Sequence, residues 1–193
     1  MIDQLVPIWE ALLAWDIRTF YLINHARTPF LDVVMPFITD FDNWIPLVVV
    51  TWLWLVIRGG KKGRIAAVGI LLVILLADQT ASSIFKPLFK RLRPCIELPD
   101  AIYWSRKKSY SFVSSHAANM FGLATYFSVN FPKTIPVVLL IAFSVSYSRI
   151  YIGVHYPLDV IGGAIVGIYW ASFVLILERI ITQNLFPKLN PNR

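Results

Sequence analysis

Residues 65–94 read "IAAVGILLVILLADQTASSIFKPLFKRLRP", and this stretch decides the fold. It begins as an unbroken apolar run. It turns polar at Asp78, Gln79, Thr80, Ser82 and Ser83, and basic from Lys86 onward. Ile65–Phe85 has the length of about 20 residues that a helix needs to cross a bilayer. Its polar end is the informative part. An ionisable group inside a span is costly and marks a partner or a wet cavity.

The pattern recurs along the chain. Ser114–Phe131, Thr134–Ile152 and Pro157–Ile181 are further apolar runs, the first two separated only by "PK" at 132–133. The unit 31–57 contains Asp32, Asp40 and Asp42. Its clean apolar part, Trp44–Ile57, falls short of the ~20 residues of a full crossing, so its helix is expected to start earlier, near Met35, or to be short and tilted. Residues 5–26 keep helical apolar spacing but include Glu10, Asp16 and Arg18. That pattern suits a helix lying in the interface or crossing at the edge of a bundle. The expected fold is all-α: a polytopic transmembrane bundle of five to six membrane-spanning helices, one integral-membrane domain over 1–193. Segment 1–28 is its interfacial or first spanning helix, 86–113 its active-site loop, and 182–193 a polar, proline-rich tail.

Composition agrees. The chain is 57% hydrophobic with mean hydropathy +0.63. Charged residues make up 15%, against about 25% in soluble domains. A formal net charge of +7 points here to anionic headgroups or a phosphorylated substrate. No basic run with interleaved stacking aromatics suggests nucleic acid. Cys95 is the sole cysteine, which excludes an internal disulfide and multi-cysteine metal sites. No metal, cofactor or obligate protein partner is expected. The start "MIDQLVPIWE" lacks a basic n-region, so no cleaved signal peptide is expected.

If the crossings alternate, loop 86–113 and turn 149–157 lie on one side of the membrane. Three clusters meet there. Lys86 and Arg93, bracketed by Pro87 and Pro94, share a face if the segment is helical; the plain alternative is snorkelling at the membrane edge. Ser114 and Ser115 open a helix whose free N–H groups suit an anion, with His116 in the first turn; alternatively, the serines only cap it. In "SRIYIGVHYPLD", 148–159, His155 and Asp159 are i,i+4 about Pro157 at a helix start. Asp159 could hold one ring nitrogen and leave the other free to attack. Arg149 ends the preceding helix, where its fork can reach a phosphate; the alternative is an Arg–Asp interface pair with His155 as packing. An anion cradle, two histidines and an orienting carboxylate form a set that phosphoryl transfer can use.

Taken in order, Lys86 to Arg93-Pro94, Ser114-Ser115-His116 and Ser148-Arg149 to His155 and Asp159 resemble the three signature motifs of the type 2 phosphatidic acid phosphatase (PAP2) superfamily. The resemblance implies catalytic roles for His155 as nucleophile, Asp159 as its orienter and His116 as proton donor to the leaving group. It implies phosphate binding by Lys86, Arg93, Arg149 and Ser114, with the Ser115 backbone helping, and no metal. One departure is Val113, where the family usually has proline. Membrane members act on undecaprenyl pyrophosphate, phosphatidylglycerol phosphate, phosphatidic acid or lipid A 1-phosphate. The implied function is a bacterial lipid phosphatase; a lipid-to-lipid phosphotransferase or a non-enzymatic anion or lipid transporter are the alternatives.

Two further expectations concern the same region. Asp78, Ser82 and Lys86 are spaced four apart, which makes Asp78 a candidate anchor of the phosphate site through a Lys or Arg, or else a carboxylate in a wet crevice. Lys90, Arg91, Arg106, Lys107 and Lys108 are read as solvated surface charge that could attract headgroups, and His25 as structural. With Arg18 and Arg27 unassigned, the other basic residues divide evenly between the two sides, Lys188 and Arg193 included. Setting aside Lys86, Arg93 and Arg149 as phosphate ligands makes "RGGKKGR", 58–64, the cytoplasmic loop. The active site then faces the periplasm from the bacterial inner membrane, with the bilayer and a phosphorylated lipid as partners.

Overall fold

The computed structural model describes residues 2–185, and all regular structure among them is helical. The tail from 186, with Lys188 and Arg193, lies outside the described residues. Helix α1 spans Ile2–Asn24 and α2 Pro29–Thr39; a 3₁₀ turn, Phe41–Trp44, leads into α3, Ile45–Ile57. Helix α4, Gly60–Gln79, runs on through a π-helical turn, Thr80–Phe85, into the single turn α5, Lys86–Phe89. The short α6 is Pro94–Glu97. Then come α7, Ser115–Asn130; α8, Ile135–Tyr151; and α9, Pro157–Ile180.

Three of these stretches are long and apolar enough to cross a membrane: Gly60–Glu97, Pro132–Tyr151 and Pro157–Gln183. A fourth counts if Pro29–Thr39 and Phe41–Ile57 are one broken span. The single helix starting near Met35 is not what forms. The pair bends by 73° at Asp40, which leaves the helical conformation (φ −80°, ψ 110°) and accepts a bond from Asp42 N with its own carboxylate at 3.3 Å. A short acidic side chain competes well for backbone donors, so it ends one helix and starts the next turn. Val68, Leu71 and Leu75 of α4, Leu140 and Phe143 of α8, and Ile165 and Ile176 of α9 point outward. Apolar belts this extensive suit lipid, not water.

Helix α7 sits at the centre, packed on α4, α8 and α9. The seam with α9 is closest, because its contact positions are glycine and alanine. A Cβ on Gly167 would stand 2.0 Å from Ala118 O, and one on Gly163 2.4 Å from Ser114 O. Small residues let two backbones approach where lipid supplies no hydrophobic push. The consequence is positional: the first turns of α7 and α9 are held side by side.

The long segment 90–113 is pinned at several points. Lys90 adopts a left-handed conformation (φ 46°) that ends α5 and turns the chain inward. Cys95 N donates to Gly153 O at 3.1 Å, and Trp104 N to Ile152 O at 3.2 Å. Asn24 donates to Ile102 O at 2.7 Å and Tyr151 O at 2.8 Å, and accepts from Ile102 N at 2.8 Å. Gly153 (φ +77°) is required here, since a Cβ would meet Ile102 O at 2.4 Å.

Candidate active site

Tyr156 precedes α9 in an extended conformation and Pro157 starts it. Asp159, in the first turn, accepts from Tyr156 N at 2.9 Å, which satisfies one of the free donors of a helix start. This closes the turn so that His155 and Asp159 face each other: His155 Nδ1 lies 3.3 Å from Asp159 Oδ2. Both are buried. Ser111 donates to the same carboxylate oxygen, and its hydroxyl is 3.4 Å from His155 Nδ1.

Arg93 reaches the other side of the ring, with Nη1 3.1 Å from His155 Nε2. A guanidinium can only donate. Nε2 is therefore the nitrogen with the lone pair, and Nδ1 carries the proton toward Asp159. Arg93 is fixed by donating to Val154 O at 2.7 Å, Ser109 O at 2.7 Å and Ser109 Oγ at 3.0 Å. Burial, and then the charges of Arg93, Arg149 and Lys86, hold the His155 imidazole well below its ordinary pKa, so the ring is neutral.

Lys86 Nζ donates to Ser115 Oγ at 2.8 Å, and Ser82 Oγ lies 3.1 Å from the same hydroxyl. The π-helical turn lies between α4 and Lys86, a place where such turns often serve function. Ser114 caps α7, its hydroxyl accepting from Ala117 N at 3.5 Å, while its N–H donates to Asp159 O at 2.9 Å. His116 follows in the first turn of α7. Arg149 is buried and donates through Nη1 to Thr39 Oγ1 at 2.7 Å, and its Nε finds no partner among the described residues. Among the described residues neither Lys86, Arg93 nor Arg149 forms an ion pair with a carboxylate. Arg93 and Arg149 are buried, and buried cations without counter-charge are costly unless an anion completes them. The arrangement therefore suits a multiply charged oxyanion.

The structure thus brings Lys86, Arg93, Ser114, Ser115, His116, Arg149, His155 and Asp159 to one place. It departs from the sequence reading at the Lys86–Arg93 face and at Arg91. Lys86 and Arg93 do not share a helical face, because α5 ends at Phe89 and Arg93 is extended (φ −82°, ψ 152°); they converge through the fold. Asp78 keeps both of its readings: it forms no ion pair among the described residues, its charge acts on Lys86 through space, and Ser82 links that helix face to Ser115. Arg91 is not a solvated charge. It is salt-bridged to Asp16 and, at 2.9 Å, to Asp159, and stacks 3.9 Å from the Tyr156 ring centroid. Asp16, Ser111, Thr39 and Arg91 were all missed. Asp16 alone left a signal, as a carboxylate interrupting the apolar pattern of α1. His25 is structural, 3.0 Å from Asp100 O.

The chain's similarities agree with this geometry. It is 34% identical to a lipid A 4'-phosphatase of Bacteroides thetaiotaomicron, over 91% of this chain and 82% of that one. It is 31% identical to an undecaprenyl-diphosphatase of Sulfolobus acidocaldarius, over 86% and 80%. Its fold matches the crystal structure of Aquifex aeolicus LpxE with a TM-score of 0.73 at 31% identity, covering 84% of this chain and 95% of that one. It also matches a PAP2-type phosphatidylglycerolphosphate phosphatase from Bacillus subtilis, TM-score 0.70 at 25% identity, covering 90% and 89%. With the PAP2 superfamily model matching residues 67–181, the chain belongs to the PAP2 superfamily of phosphatases.

Proposed function

We propose that this protein hydrolyses the phosphomonoester or pyrophosphate headgroup of a membrane lipid through a phosphohistidine on His155. The observation that carries the reading is the polarity of the imidazole: Arg93 donates toward Nε2 while Asp159 and Ser111 surround Nδ1. A nucleophilic nitrogen thus faces the cationic cluster. An incoming phosphate takes over the Arg93 donor with an oxygen and receives the Nε2 lone pair at phosphorus. Lys86, Arg93, Arg149, the Ser114 hydroxyl and the Ser115 N–H neutralise the equatorial oxygens, where most of the catalytic effect of phosphoryl transfer arises. His116 takes up a proton from solvent as the anionic phosphate enters the cationic cluster, and gives it to the departing oxygen. Water then attacks the phosphohistidine, giving up its proton to His116, and inorganic phosphate leaves. No step needs a metal.

The relatives' names support a lipid A phosphate, undecaprenyl pyrophosphate or phosphatidylglycerol phosphate as substrate, and phosphatidic acid is a further candidate. The whole chain, 1–193, acts as one membrane domain with five to six crossings, α7 among them and α1 either the sixth or a helix in the interface, and 86–113 as its active-site loop. The site faces the periplasm of a bacterial inner membrane, with "RGGKKGR" in the cytoplasm. The test is phosphate release by the purified protein in EDTA across these lipids, with His155→Ala alongside. Wild-type turnover resistant to EDTA, and a loss of at least about 10⁴-fold in the variant, is expected. Equal rates in the variant would remove His155 from the mechanism; inhibition by EDTA would remove the metal-free step.

A further inference from the structure

The least expected feature is a buried carboxylate–guanidinium–carboxylate bridge behind the site. Asp159 and Asp16 are both fully buried, and Arg91 lies between them, one-fifth exposed. Arg91 Nη1 donates to Asp159 Oδ1 at 2.9 Å, and Nη2 donates to Asp16. Asp16 in turn accepts from Leu158 N, in the first turn of α9, at 2.8 Å. The guanidinium lies over the Tyr156 ring, whose hydroxyl donates to Glu97 at 2.8 Å. Three segments distant in sequence, from α1, the 90–93 loop and α9, thus meet on the side of Asp159 away from His155.

From this geometry we infer that Arg91, held by Asp16, is a positioning residue that keeps Asp159 ionised and so holds the reactive tautomer of His155. The inference rests on the reading of His155 as nucleophile. A carboxyl with no access to water takes up a proton unless a cation is held against it. Protonated, Asp159 would donate to His155 Nδ1 instead of accepting from it. The ring proton would then move to Nε2, and the lone pair facing the phosphate would be lost. Other groups around Asp159 cannot replace Arg91. Ser111, Tyr156 N and His155 are neutral donors, all on Oδ2. Lys86 and Arg93 act on it only through space, and Asp16 opposes its ionisation. Arg91 is the sole cation in contact with Asp159 among the described residues. Asp16 supplies the second anchor that fixes the fork, which gives α1 a part in the chemistry.

The experiment is the pH profile of phosphate release for wild type, Arg91→Gln, Arg91→Lys, Asp159→Asn and the Arg91→Gln/Asp159→Asn double variant, with thermal midpoints as a check on folding. Arg91→Gln keeps donors but not charge. It is expected to lose about 10²-fold or more in kcat near neutral pH with little change in KM. The loss should shrink as pH rises and Asp159 regains its charge, moving the acidic limb of the profile upward. Arg91→Lys should keep that limb near its wild-type position. In the Asp159→Asn background, Arg91→Gln should cost only a few-fold. An Arg91→Gln loss equal at every pH, or equally large in the Asp159→Asn background, would reduce Arg91 to a structural brace. Should Arg91→Gln not fold, an Arg91→Lys profile displaced upward would overturn the inference just as directly. His155→Ala separates the two ideas: activity without His155 defeats the nucleophile, whereas its loss beside an unshifted Arg91→Gln profile defeats only the role of Arg91.

Discussion

Gly167→Ala tests whether the α7–α9 seam sets the spacing of the two histidines. The added Cβ would stand 2.0 Å from Ala118 O and 2.7 Å from Gly122 N, both backbone atoms that cannot rotate away. Ordinary contact starts near 3.4 Å, so the helices must part or slide by more than about 1 Å, and overpacking of this kind costs about 1–3 kcal/mol. For a chain of this size each kcal/mol lowers the thermal midpoint by about 2–4 °C. The effect on rate should be larger than that on stability. His116 lies in the first turn of α7 and Asp159, which contacts His155, in the first turn of α9, so opening the seam separates the proposed proton donor from the proposed nucleophile. A misplacement of about 1 Å can cost about 10²-fold. The assay is steady-state phosphate release with a midpoint measured on the same preparation. A variant with wild-type kcat and midpoint would refute the argument that this contact positions the site.

Two further predictions concern stability. Tyr126 donates to Glu178 at 2.5 Å across the same seam; Tyr126→Phe leaves that carboxyl without its donor and should cost about 1–3 kcal/mol, read as a lower midpoint with kcat of the folded fraction unchanged. An unaltered midpoint would mean another donor serves Glu178. The pH dependence has a definite sign. His155 is held well below its ordinary value by burial and by Arg93, Arg149 and Lys86. Below about pH 6.5 the unfolded chain therefore binds a proton there that the folded one does not, and stability falls by up to about 1.4 kcal/mol per pH unit until the folded value is reached. His155→Gln should lose less stability than wild type between about pH 7.5 and about pH 5.5; parallel losses would contradict the assigned neutral ring.

Much of the candidate site was legible because its spacings are local. Ser114 to His116, and His155 to Asp159 about Pro157, lie within a helical turn, and a turn imposes its own geometry. The Lys86–Arg93 pair was legible as a pair and wrong as a helical face, because Lys90 takes a left-handed conformation that chain pattern alone does not signal. The bend at Asp40 had its acidic residues in plain view. Along the chain they shorten an apolar span; in the fold they cap and redirect it. Arg91 had no chance of recognition in one dimension: its partners are 75 and 68 positions away.

What the sequence by itself determined is the class of structure and the chemical groups available to it. Apolar runs about 20 residues long with no other place for their backbone polar groups must close them within a helix, and the polar ends of those runs hold the histidines and cations. Only the tertiary structure decided which nitrogen of His155 is free, which carboxylate is held by which guanidinium, and that Arg149 rests on Thr39. Those outcomes depend on separations of a few tenths of an ångström between distant segments. Those separations are set by where glycines let α7 and α9 touch and by how the 90–113 loop is pinned, and no pattern along the chain encodes a distance across it.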